Sequence, residues 1–293
     1  NLGVWSIPMD FLDLEAEMEQ EELAEMYWRY GQKIMAAARL VRRDPRLYAV
    51  YITNFGCGPD SFIGHFFQDT MEGKPFLEIE IDEHSADVGA ITRLEAFLDS
   101  LKNAPPKKLM ERTPKRRNLQ ASDKVIYLPN MADHAYAVAA AFRACGVESE
   151  VMPESDARTL ELGRRYTSGK ECYPCALTTG DMLKKLMDDG ADPARAAFFM
   201  PSGNGPCRFG QYHRFHRLVM DELGFEQVPI YAPDQSEVFY EELGMAGGSD
   251  FYAVRALQAQ GVDPEQGVLR LSFVHYTTAE EVDRLIAALD QHL

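Results

Sequence analysis

The chain has no apolar run long enough to cross a bilayer, and no signal peptide is visible. The sequence therefore predicts neither a membrane-spanning protein nor a secreted one. It is also short of basic residues. Thirty Lys and Arg stand against 46 Asp and Glu, for a formal charge of −16. A nucleic-acid surface needs the opposite balance, so that partner class is excluded. A disulfide framework is lacking too. Five cysteines cannot all pair, and 293 residues can bury a full core without covalent staples. Reduced thiols in a cytoplasmic protein are the expectation. There is no internal repeat and no low-complexity tract. Residue 1 is Asn rather than Met, which points to a piece of a longer polypeptide.

The composition is otherwise that of a globular protein, 46% apolar. Its distinctive feature is Gly169-Lys170-Glu171-Cys172-Tyr173-Pro174-Cys175. Two thiolates at this spacing can turn onto one metal centre, because a tight turn and a helix start bring their sulfurs together. The pair supplies half of a four-thiolate shell. Cys57, in Gly56-Cys57-Gly58-Pro59, and Cys207, in Gly205-Pro206-Cys207-Arg208, lie in similar Gly/Pro turns after apolar runs. We take Cys57, Cys172, Cys175 and Cys207 as one site. A redox dithiol is the competing reading of CxxC, but the two further loop cysteines favour metal. Zinc sites use two local pairs, whereas only one pair is local here. That fits an iron–sulfur cluster of 4Fe–4S type better than zinc. Cys145 is set apart: Ala139-Ala140-Ala141-Phe142-Arg143-Ala144-Cys145 reads as a helix face with a core thiol. Lys170 and Arg208 flank the thiolates and could balance cluster charge or hold an anionic ligand. Glu171, beside Cys172, is the candidate proton donor.

Periodicity predicts a helix over residues 21–43 behind an acidic, solvated start, then a strand at 47–53 running into the Cys57 loop. A helix at 61–71, a strand at 76–82 and a helix at 86–101 follow. Residues 103–122 hold three prolines and six basic side chains and read as a solvated linker. Beyond it come a strand at 124–128, a helix at 132–145 and a strand at 147–152. A helix at 155–166 with Ser155 as N-cap follows, then a helix at 176–187 after the CxxC turn. A strand at 196–200, a helix at 209–223 and a strand at 227–231 complete the pattern. The fold expectation is two Rossmann-like α/β lobes, residues 1–102 and 123–250, joined by the linker, with an atypical tail at 251–293. Cysteine loops after strands belong where open α/β sheets bind ligands, here between the lobes.

Other motifs weaken on inspection. Ser168-Gly169-Lys170 resembles the end of a phosphate loop, yet Arg164 stands where a glycine is needed. Gly203-Asn204-Gly205 lacks the third glycine of a dinucleotide loop. His213 and His216 are spaced to share a helix face, more often a polar face than a metal site. Asp82-Glu83-His84, at a strand end, could be acid/base groups or caps.

Several runs resemble the acyl-CoA dehydratase activase-related proteins, relatives of 2-hydroxyacyl-CoA dehydratase and benzoyl-CoA reductase subunits. They are residues 51–62, residues 80–87, Gly169 to Cys175 with Thr178-Thr179-Gly180-Asp181, and Met200-Pro201-Ser202-Gly203 through Gly210-Gln211-Tyr212. The likeness covers roughly the first 250 residues. The resemblance implies two α/β lobes around an oxygen-sensitive iron–sulfur cluster, held at Cys57, Cys172, Cys175 and Cys207. It also implies low-potential electron transfer driven by an ATP-binding activase domain or subunit in an anaerobe, and a CoA thioester substrate. A metal-binding domain that only joins parts or docks a partner is the alternative. Residues 261–264, 269–273 and 276–283 instead resemble the C-terminal end of cysteine desulfurases and class V aminotransferases. No cofactor lysine segment accompanies them, so no pyridoxal-phosphate activity is expected. Read physically, the tail is one strand and one amphipathic helix over 279–289.

Overall fold

The computed structural model describes residues 2–20, 23, 26–82, 84, 87–103, 124–144, 146–203 and 205–232. Apart from Asn103, the expected linker at 103–122 lies outside them, as do Cys145 and the residues beyond 232. Asn103 itself ends a helix.

A short helix α1 (Glu15–Met18) precedes α2 (Arg29–Arg43). Helix α2 starts later than the apolar pattern from residue 21 predicts, because Trp28 is extended at φ −78, ψ 100. Two side chains hold that bend: Gln32 Nε2 donates to Met26 O at 2.7 Å, and Trp28 Nε1 donates to Pro206 O at 3.0 Å. Strand β1 (Ala49–Thr53), helix α3 (Asp60–Thr70), strand β2 (Phe76–Glu80) and helix α4 (Asp87–Asn103) follow in the expected order. β1 and β2 pair in parallel, from Ala49 against Phe76 to Thr53 against Glu80.

The second sheet holds β3 (Val125–Leu128), β4 (Ser149–Val151), β5 (Ala196–Phe199) and β6 (Ile230–Tyr231), in the order β4-β3-β5-β6 and all parallel. Its helices are α5 (His134–Ala144), α6 (Ala157–Tyr166), α7 (Tyr173–Met187) and α8 (Tyr212–Glu222). β3 reads Val-Ile-Tyr-Leu because a central parallel strand is covered on both faces. The chain leaves β3 for β4 on one side and returns to β5 on the other. The carboxyl ends of β3 and β5 are therefore the switch point at which such sheets bind ligands.

One apolar core runs across both sheets. It joins Tyr51, Phe62, Phe66 and Phe67 of the first to Tyr127, Leu183, Phe198 and Phe215 of the second. Phe62 of α3 stacks on Tyr212 of α8 (5.7 Å, 10°) and meets Phe215 edge-on (5.8 Å, 75°). A smaller core of Ile126, Leu128, Phe142 and Tyr231 packs separately from it.

Helices α6 and α7 touch backbone to backbone. A Cβ at Gly163 would lie 1.8 Å from Ala176 O, and one at Gly180 would lie 1.9 Å from Thr159 O. Beside this contact Asp181 is buried and accepts from Thr159 Oγ1 (3.0 Å) and Ser155 Oγ (2.8 Å). Ser155 is thus not the N-cap of α6. Asp156 is, its carboxylate accepting from Thr159 N at 2.8 Å.

Candidate functional site

Each of the four cysteines sits just before or inside the first turn of a helix. Cys57 lies three residues before α3, and Cys172 is the N-cap of α7, whose third residue is Cys175. Cys207 caps a 3-10 turn, Arg208–Gln211, that runs into α8. Helix α7 begins at Tyr173 rather than at Ala176, since Pro174 suits the first turn, where an N–H has no partner to lose. Cys172 O accepts from Cys175 N (2.9 Å) and Ala176 N (3.3 Å). Unpaired N–H groups at such termini favour negative charge nearby.

The Cys57 loop leaves β1 through a run of left-handed backbone, Phe55 (φ 58), Gly56 (φ 56) and Gly58 (φ 61). Thr53 Oγ1 closes it, donating to Asp60 Oδ2 (2.7 Å) and accepting from Gly56 N (3.2 Å). Gly56 is favoured by its φ of 56, while a Cβ there would meet only the flexible end of Lys170, 2.8 Å from Nζ.

One guanidinium ties the three cysteine loops together. Arg208 Nη1 donates to Ser61 Oγ at 2.8 Å and to Lys170 O at 3.1 Å, with Gly58 O at 3.4 Å. Arg208 therefore reaches from the Cys207 loop to both the Cys57 loop and the CxxC loop. Lys170 adds a second tie, its ammonium 3.2 Å from Glu80 Oε1 at the end of β2. Trp28 holds the Cys207 loop from α2 through Pro206 O.

Glu171 is the third tie. Its carboxylate is 1% exposed and pairs with His65 Nε2 of α3. It also accepts from Ser168 N (3.1 Å), Ser168 Oγ (2.9 Å) and Gly169 N (3.0 Å). Burial alone would raise its pKa. The bonds from His65, Ser168 and its own backbone outweigh burial and pull it down to about 2. The carboxylate anchors the CxxC loop, binding residues 168 and 169 within it and His65 of α3 across from it. His65 in turn meets Phe215 edge-on at 5.0 Å.

Exposure divides the thiols. Cys57 and Cys207 are exposed, Cys172 is half-buried and Cys175 is fully buried. Burial pushes the Cys175 thiol up, Glu171 and Cys172 push the same way, and Arg208 pulls against them. Tyr212, named in the sequence only within a resembling run and not as a site residue, is buried at the start of α8, directly after the Cys207 turn. Burial, and then Cys172, Cys175 and Cys207, raise the pKa of its phenol. Among the described residues, no three His, Cys, Asp or Glu side chains stand together as a ligand group for a metal ion. The three loops meet at Arg208, with Cys57 and Cys207 exposed. The donor set itself, four thiols at helix starts, suits a soft metal or an iron–sulfur cluster.

His213 and His216 do not share a polar face. His216 is 1% exposed, bonded through Nε2 to Thr178 Oγ1 at 3.0 Å, and burial lowers its pKa to about 3. It is a neutral core histidine beneath α7. Thr179 Oγ1 donates to Cys175 O at 2.7 Å. The Thr178-Thr179-Gly180-Asp181 run is thus spent on packing α7 against α6 and α8. At the end of β2, Asp82 Oδ1 accepts from His84 N at 2.8 Å, which makes it a turn cap, while Glu83 lies outside the described residues.

No protein-family model matches this chain, and neither a curated protein nor a solved structure is significantly similar to it. Among the described residues no helix is long and apolar enough to cross a membrane.

Proposed function

We propose that the chain is an iron–sulfur protein of the 2-hydroxyacyl-CoA dehydratase and activase-related kind. In this reading two Rossmann-like lobes hold the cluster between them at Cys57, Cys172, Cys175 and Cys207. The protein receives electrons from an ATP-dependent activase domain or subunit and passes them to a CoA thioester or similar small substrate. The observation that carries the reading is the Arg208 tie, which brings three cysteine loops from distant parts of the chain to one place beside strand ends.

A metal clamp that merely joins parts of the chain is less well supported. Arg208, Lys170–Glu80, Glu171–His65 and Trp28–Pro206 already join them without metal. Four thiols added to that junction are better explained by chemistry than by fastening. When bound, a cluster would supply one-electron transfer at low potential. The chain's own residues would position it: Cys172 and Cys175 from the start of α7, Cys57 and Cys207 from the loops above it. Arg208 would offset thiolate charge, whereas Lys170 is already partly neutralised by Glu80.

Anaerobic purification with iron, sulfide and zinc analysis tests the reading. We expect iron and sulfide to bind on reconstitution, and Cys172→Ser or Cys175→Ser to abolish or alter the spectrum while Cys145→Ser leaves it intact. Protein that holds stoichiometric zinc, with no iron-dependent spectrum after reconstitution, would favour the clamp instead.

A further inference from the structure

We propose that residues 269–289 of this chain complete the first sheet, the strand-like run lying along the open edge of β1 and the amphipathic run covering its exposed face. The inference goes beyond the functional reading and does not depend on it. Strands of a parallel sheet are covered on both faces. Among the described residues β1 pairs only with β2, so the pair is a fragment of such a sheet with a free edge at β1. One face is in order: Tyr51 and Thr53 are buried, and Tyr51 stacks on Phe67 at 5.0 Å. On the other face Ile52 is the register partner of Ile79. Helix α4 packs against β2, and Ile79 is 3% exposed. Ile52, one strand over, is 60% exposed, and Val50 on the same face is 41% exposed. Two branched apolar side chains left in water beside a covered neighbour mark a face built to be covered in its turn.

The sequence beyond residue 232 holds a segment with the matching chemistry. Leu269, Leu271 and Phe273 alternate with Arg270 and Ser272, the pattern of an edge strand with one apolar side. Ala279, Val282, Leu285, Ile286 and Leu289 recur at helical spacing. The five residues between the two runs are a connection of the length that returns a helix over the sheet its strand has joined. A strand beside β1 would set its apolar side next to Val50 and Ile52, and the helix would lie over them beside α4. Reach is not limiting, since the 36 residues from 233 to 268 span up to about 120 Å when extended. The linker at 103–122 does not fit. Its three prolines and six basic side chains offer neither an alternating strand nor an apolar helical stripe.

The test replaces Ile52 with the photo-crosslinker p-benzoylphenylalanine in the full chain and maps the products by peptide mass spectrometry, with isotope-labelled and unlabelled chains mixed. We expect crosslinks from position 52 to residues 269–289 of the same chain. Products that join a labelled to an unlabelled chain would make the face a contact between two copies and overturn the proposal. Crosslinks to the linker at 103–122, or none to 269–289, would overturn it as well. A second arm leaves β1 unaltered and follows hydrogen exchange in Leu285→Asp. A carboxylate on the covering face should speed exchange in β1 by about tenfold while β3 keeps its protection. Unchanged exchange in β1 would overturn the proposal, and if β3 loses protection too, the crosslinking arm decides alone. Neither arm involves a cysteine or a metal, so a chain that never binds iron would end the functional reading and leave this result standing.

Discussion

The charge on Glu171 is worth more to this protein than its exposure to chemistry. Its folded pKa, about 2, lies below the ordinary carboxylate value of 4.5, so its contribution is present above the unfolded pKa and lost as pH falls through the folded one. That contribution is therefore fully present at neutral pH. The Glu171 share of stability should be lost progressively between about pH 5 and about pH 2, and Glu171→Gln should make the acid-side loss shallower, the rest coming from Asp44, Asp156, Glu161 and Asp188, whose pKa values are lowered too. Urea titrations across the window check it; a Gln variant that loses stability as steeply as the parent would contradict it. Arg208→Ala should unpin three loops at once. Hydrogen exchange should then rise together at residues 54–59, 167–172 and 202–207, rather than in the Cys207 loop alone. The sequence made the cysteines legible because glycine and proline mark loops that a thiol must enter closely. It did not reveal Tyr212, His65 or Trp28. Their partners lie up to 178 residues away, and long-range pairing leaves no local signature.

Helices obeyed local chemistry only where local chemistry was undivided. Ser155 and Asp156 are adjacent cap formers, and sequence alone does not rank them; the choice was made by buried Asp181, which takes the Ser155 hydroxyl and leaves Asp156 to cap α6. Asp156→Ala should therefore cost about 1 kcal/mol, the worth of a helix cap, measured by chemical denaturation. Helix α2 shows the opposite failure. Its apolar pattern continues upstream, yet Trp28 is drawn out of helical geometry by Pro206. The α6–α7 contact offers the sharpest test. Gly163→Ala would place a methyl 1.8 Å from Ala176 O, a clash with backbone that no rotamer relieves. The helices must part, at a cost of about 3 kcal/mol or more, seen as a lower denaturation midpoint. An alanine there that left stability unchanged would show that the two backbones do not meet.

At the scale of the whole molecule, alternating strands and helices were enough to predict parallel α/β architecture. They were not enough to show that both sheets share a core, because the Phe62–Tyr212–Phe215 cluster joins α3 to α8 across 150 residues of sequence. Phe62→Ala should cost about 3–5 kcal/mol. Amide protection should then fall in β1 and in β3 and β5 together, as expected of one cooperative unit. Protection lost in β1 alone would separate the sheets energetically. The glycine contact between α6 and α7 has a consequence for the six residues 167–172 that connect them. Both ends of that connection are fixed to one rigid helix pair, so the entropy of closing the loop is surrendered when the protein folds. Whatever binds at Cys172 and Cys175 meets a chain segment already drawn tight, and its affinity is not diminished by having to order it.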